Sequence, residues 1–211
     1  MNVVRDEDLA QLFAGLSAIS RGRVIMGLGL GGFPHEFAAA GYPSGLHERA
    51  ELVRANIEIC RRLWFGERVS FKDAFFDFAE VALKPVPETL IPIWIGGGTP
   101  AACRRAVEYG NGWMPARITL ATFAKLRIDS RELCDKAGNP VISEAVMPFA
   151  SVAKDRKTAL SKINIESLIG EADKYPTWVK PPSGTFSTLD DILGYILSGT
   201  PADIARETRA Y

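Results

Sequence analysis

Residues 92–113, "PIWIGGGTPAACRRAVEYGNGW", decide how this chain is read. A short β-branched run ends in three consecutive glycines, and a Thr-Pro pair follows. Thr99 is placed as an N-cap and Pro100 as the first helical residue, a pairing that marks a helix start. The segment is therefore a strand, a glycine turn and a helix that runs to Gly110. Without a Cβ, Gly96, Gly97 and Gly98 allow positive φ and close approach of another group to the backbone. The following helix end presents N–H groups and a positive dipole, which favour a phosphate. The competing reading is structural: the glycines make a tight connector and Thr99 merely caps.

Outward from this segment the same alternation recurs. "DEDLAQLFAGLSAIS" carries Leu9, Leu12, Phe13, Leu16 and Ile19 as a helical stripe, with Asp6 available as cap. "RVIMGLGLGG" (Arg23 to Gly32) reads as a buried strand entering glycines, and a long helix follows from Leu46 to Trp64. "RVSFKDAFFDF" reads as a hairpin turning at Lys72-Asp73-Ala74. Beyond Gly110, "WMPAR" reads as a short strand, "TLATFAKLRIDSRELCDKAG" as a helix ending at Gly138, and "VISEAVMPFASVA" as one further strand. The rest reads as helical or irregular, with "YPTWVKPPSGTF" the least ordered segment. Strand-then-helix units in series imply a parallel sheet with crossover helices, as an open doubly wound sheet or a (β/α)8 barrel. In both, loops at strand C-termini collect the ligand.

The tetrapeptide "GTPA" occurs at Gly98–Ala101 and again at Gly199–Ala202. The second copy follows "LDDILGYILS", read as helix, so it is expected to do no more than cap. Position at a strand end is what makes the first copy a ligand candidate.

Composition narrows the function classes. The 211 residues are 47% hydrophobic and 24% charged, with Lys+Arg and Asp+Glu equal at 25 each. Balanced charge suggests neither nucleic acid nor an anionic membrane as partner. No apolar run approaches the roughly 20 residues that span a bilayer, and the N-terminus lacks a secretion signal. Three scattered cysteines, Cys60, Cys103 and Cys134, read as reduced thiols in a cytoplasmic protein, not as a disulfide frame or a zinc site. His35 and His47, the only histidines, stand between the first strand and the long helix; each is a general-base candidate or a surface loop histidine. Glu36 either faces the site or supplies helix N-terminal charge. Trp94 and Trp113 read as core, with Trp113 a candidate border for a ring pocket. No Ser-His-Asp set, P-loop or metal-ligand cluster is visible.

Several ordered motifs together resemble the luciferase-like family of flavin- or deazaflavin-dependent oxidoreductases and monooxygenases. They are "PIWIGGGTPAACRRAVEYGNGWMP", "ISRGRVIMGLGLGGFPHEFAAAGYP", "HERAELVRANIEICRRLWFGERVSF" and the terminal "SGTPADIARETRAY". The resemblance runs from about Leu9 to the C-terminus and is weakest across residues 144–188. It implies a single partial luciferase-like domain over residues 1–211: an α/β fold of the (β/α)8 TIM-barrel type, incomplete, with four to five of eight strands. It implies FMN or coenzyme F420 as cofactor, its phosphate near Gly96, Gly97, Gly98 and Thr99, with Gly29 and Gly31 leaving room at the neighbouring strand end. Arg49 matches a family arginine that reaches the phosphate region; the alternative is a solvated helix charge beside Glu48 and Glu51. The implied partner is a small-molecule substrate, and the catalytic residues are not assignable.

The sequence departs from the family pattern at three points. The first three strands, which carry acid/base residues in many members, are not recognised, nor is the last strand. The hairpin turn has Lys72-Asp73-Ala74 where the family usually has a glycine. Both ends of the chain accordingly read as cut, since such a barrel takes about 250 residues. Exposed strand edges would then invite association, self-association included. The alternative function is a non-catalytic remnant that binds a phosphate-bearing ligand or completes a barrel with another chain.

Overall fold

A computed structural model describes residues 6–42, 45–174, 178–181 and 183–209, with side chains from residue 8 onward. The elements in chain order are α1 (Asp6–Ser20), β1 (Met26–Leu28), α2 (Pro34–Ala39), α3 (Leu46–Trp64), β2 (Val69–Lys72), β3 (Asp77–Val81) and β4 (Ile93–Gly96). There follow α4 (Pro100–Tyr109), β5 (Gly112–Met114), α5 (Leu120–Ala137), β6 (Ser143–Glu144), β7 (Phe149–Val152), α6 (Arg156–Ser161) and α7 (Ile165–Lys174). The chain ends with α8 (Leu189–Leu193), β8 (Ile196–Gly199) and α9 (Pro201–Thr208). It divides into two compact units: Met1–Trp94 with Tyr109–Asn111, and Ile95–Glu108 with Gly112–Tyr211.

In the first unit α1 packs along α3. Trp64 donates its indole N–H to the Ala10 carbonyl at 3.0 Å and meets Phe13 edge-on. The face of α1 that is buried carries Ala10, Ala14 and Ser17. Leu12, Leu16 and Ile19, expected to face a core, stand on the other side, and Ile19 is 84% exposed. Small residues at the contact let the two helices approach closely, so the larger aliphatics are left outside. β1 is only three residues long, because the glycines that follow give little side chain to pack. It neighbours the opening of β4, where the Met26 N–H donates to the Pro92 carbonyl at 2.9 Å. The β2–β3 hairpin is antiparallel with Lys72 opposite Asp77. It needs no turn glycine: Asp73 Oδ1 accepts from the N–H groups of Phe75 and Phe76 at 2.7 and 2.8 Å, a side chain standing in for backbone.

In the second unit the end of β4, β5 and β6 lie in that order, and β5 and β6 are parallel with Trp113 opposite Glu144. The expected single strand over "VISEAVMPFASVA" is two strands. Pro148, which has no N–H, marks the break; beyond it the chain leaves its bridge at Ala116–Met147 and pairs β7 in parallel with β8. "LDDILGYILS", expected as helix, is α8 only to Leu193; β8 follows, all four of its residues buried. A short apolar run fits either state, and Gly194 is where the two part. The described residues of "YPTWVKPPSGTF" lie in no helix or strand, as read, yet the segment is packed into the core. Trp178 is 3% exposed and Phe186 4%, and they form a core cluster with Tyr195, Ile192 and Ile196. Residues 175–177 and 182 of that stretch lie outside the described residues.

Candidate functional site

The second unit holds the glycine turn. The first residues after β4 depart from extended geometry: Gly97 has φ +114°, and a Cβ there would stand 2.8 Å from Ala102 Cβ. Gly98 is buried, while Gly97 and Thr99 are exposed. Thr99 caps α4 as expected, its Oγ1 accepting from the Ala102 N–H at 3.2 Å and its carbonyl from the Cys103 N–H at 3.0 Å. Trp113, fully buried, donates its indole N–H to the Gly97 carbonyl at 2.9 Å and stacks on Phe123. That clamp was not readable in the sequence, where Trp113 suggested core packing or the border of a ring pocket.

The twin turn corrects the comparison drawn from position. Gly199 closes a strand, β8, and Thr200-Pro201 open α9, so both copies of "GTPA" stand at strand ends. Their difference is chemical. In the second copy Asp203 reaches back as part of a capping box: its Oδ2 accepts from the Thr200 N–H at 3.0 Å and from Thr200 Oγ1 at 2.7 Å. These hydrogen bonds from Thr200, with Arg206 beside it, hold the carboxyl down to about 2. The equivalent position of the first copy is Ala102, and the first turn of α4 has no acidic residue.

The first unit holds the other glycines. Gly29 follows β1, and the space a Cβ would enter there is open. Gly31 has φ +72° and lies against the Phe37 ring. Arg49, on the first turn of α3, is 3% exposed, so it is not a solvated helix charge. Its Nη1 donates to the carbonyls of Leu30 and Gly31, both at 2.9 Å, and its guanidinium lies 4.7 Å from the Phe37 ring centre. His35, Glu36 and His47 are all exposed. Among the described residues no cluster of His, Cys, Asp and Glu is placed to hold a metal, and no helix is long and apolar enough to cross a membrane.

Strand ends that open into glycines and helix N-termini define an α/β protein of the (β/α)8 type, here a part of such a barrel. The chain belongs to the luciferase-like monooxygenase family, whose model matches residues 8–211. An F420-dependent glucose-6-phosphate dehydrogenase of Amycolatopsis mediterranei is 33% identical over 108 residues, 50% of this chain and 32% of that protein. An F420-dependent hydroxymycolic acid dehydrogenase of Mycobacterium tuberculosis is 36% identical over 106 residues, 50% of this chain and 29% of the relative. The matched stretch thus spans about a third of these relatives' length. Among solved structures, an F420-dependent secondary alcohol dehydrogenase in complex with an F420-acetone adduct superposes with a TM-score of 0.79 at 22% identity. That match covers 98% of this chain and 66% of the other. The FMN-bound oxygenating constituent of 3,6-diketocamphane monooxygenase from Pseudomonas putida gives 0.70 at 18% identity, covering 96% and 65%.

Proposed function

We propose that residues 1–211 form one partial luciferase-like barrel domain that holds the cofactor of an FMN- or F420-dependent oxidoreductase acting on a small-molecule substrate. The cofactor's phosphate is assigned to the turn Gly96, Gly97, Gly98 and Thr99. The observation that carries this is the contrast between the two "GTPA" turns. In one, the chain supplies its own carboxylate, Asp203, to the amide and hydroxyl of the capping threonine. In the other, Ala102 brings none, and the exposed Thr99 leaves that helix end to an external anion.

The bound cofactor supplies the redox chemistry: dioxygen activation for reduced FMN, hydride exchange for the deazaflavin. The chain supplies placement. Trp113 fixes the Gly97 carbonyl and so the path of the turn. Arg49 holds the Leu30 and Gly31 carbonyls, which keeps the glycine stretch after β1 in one conformation. Gly29 leaves space free where a side chain would intrude.

The test is a titration of the folded chain with FMN and, separately, with F420, read by tryptophan fluorescence, since the Trp113 indole is tied to the turn. Saturable quenching that inorganic phosphate competes away is expected for one of the two. Ala102→Asp should reproduce at Thr99 the capping box of the Thr200 turn and weaken that binding at least tenfold, about 1.4 kcal/mol. A folded chain that binds neither cofactor would overturn the assignment.

A further inference from the structure

The glycine turn has a neighbour from far along the chain. Val179 follows the buried Trp178, and both of its backbone polar groups are committed. Its N–H donates to the Arg117 carbonyl at 3.1 Å, and its carbonyl accepts the Tyr195 hydroxyl. Burial pushes the Tyr195 phenol up to about 12, so it remains a donor throughout the ordinary pH range. Trp178 stacks on Phe149 at 5.4 Å, and the Arg117 guanidinium lies 6.0 Å from its ring centre. Arg117 itself has φ +54°, a left-handed conformation uncommon outside glycine. Such residues persist where the surroundings over-determine them. The short segment 178–181 is therefore pinned to the loop after β5 and to the residue just before β8.

The side chain of Val179 stands against the turn. A Cβ on Gly98 would meet Val179 Cγ2 at 2.7 Å and Ile118 Cδ1 at 3.5 Å. We propose that Val179 is a positioning residue for the phosphate turn: its methyl group packs directly on the Gly98 backbone and fixes the turn's geometry without touching a ligand. The proposal rests on the functional reading above. A β-branched side chain is stiff about χ1, which suits it to act as a stop. Backbone amides held in one geometry before an anion arrives bind it more tightly than amides that must be ordered on binding. Gly98 is on this view required by the protein's own packing, while Gly97, exposed beside it, is the residue whose bare backbone faces outward.

The experiment has two arms on the full chain. Without any ligand, amide hydrogen exchange is measured at residues 97–99 in the wild type, Val179→Ala and Val179→Thr. Val179→Ala is expected to speed exchange there about tenfold, with the core of α5 unchanged, and Val179→Thr, which keeps the shape, to restore it. Gly98→Ala should lower the melting temperature in the wild-type background and much less beside Val179→Ala, where the opposing methyl is gone. In the second arm, FMN, F420 and inorganic phosphate are titrated into the same variants, with a matching loss for Val179→Ala and rescue by Val179→Thr. A Val179→Ala chain that melts lower yet exchanges normally at 97–99, or a Gly98→Ala penalty equal in both backgrounds, overturns the proposal. If the exchange results hold and no titrant binds any variant, the stop stands and the phosphate assignment falls.

Discussion

Arg49 shows how a residue's role depends on what the fold brings to it. In the sequence it sits between Glu48 and Glu51 on a helix start, the setting of a solvated charge. In the structure its Nη1 reaches two carbonyls from the stretch after β1, 18 and 19 residues earlier. No periodicity announces such contacts. Arg49→Met should orphan both carbonyls and destabilise the chain by about 1–3 kcal/mol, read as a lower urea midpoint at unchanged slope. Thr99 is the opposite case. Capping is local, so Thr-Pro in the sequence was enough to place it, and Thr99→Ala should cost about 1 kcal/mol in the same assay.

Among the elements, α1, α3, α4 and α5 were legible because their signals are local: periodic apolar residues, Thr-Pro starts, and Gly138 as a left-handed cap with φ +65°. The failures lie where pairing decides. β8, which pairs with β7, is a short apolar run whose own residues fit helix as well as strand, and the strand reading over "VISEAVMPFASVA" covered β7 but missed the break at Pro148. The caps also set how these elements answer to acid. Asp203 titrates near 2 in the folded chain, below the ordinary aspartate value of about 3.9. Asp191 is likewise lowered, by hydrogen bonds from Ser183, Ser187 and Thr188. A depressed folded-state value means stability that is full above about pH 4 and is lost as pH falls toward 2. Asp203→Asn should remove its share of that loss, leaving a shallower acid limb in a pH series of melting temperatures.

For the whole molecule, the repeating strand-then-helix order was enough to give the α/β class, since a parallel sheet needs crossovers. The boundaries of the two compact units follow from contacts between residues distant in sequence, which no local pattern encodes. The cysteines offer a way to watch the units separately. All three are reduced and buried, Cys60 in the first unit, Cys103 and Cys134 in the second, and burial raises the Cys103 thiol further from reactivity. A thiol reagent should label none of them in native buffer within minutes and all of them in denaturant. Mass spectrometry of partly labelled chains then tells whether Cys60 opens with the other two or apart from them. The paired "GTPA" turns, finally, have a meaning at the level of the gene. Every alanine codon becomes an aspartate or glutamate codon when its middle base changes from C to A. On the proposed reading, the open turn at Ala102 and the self-filled turn at Asp203 thus stand a single nucleotide apart, and one point mutation in a lineage is enough to put a carboxylate where the external anion would sit.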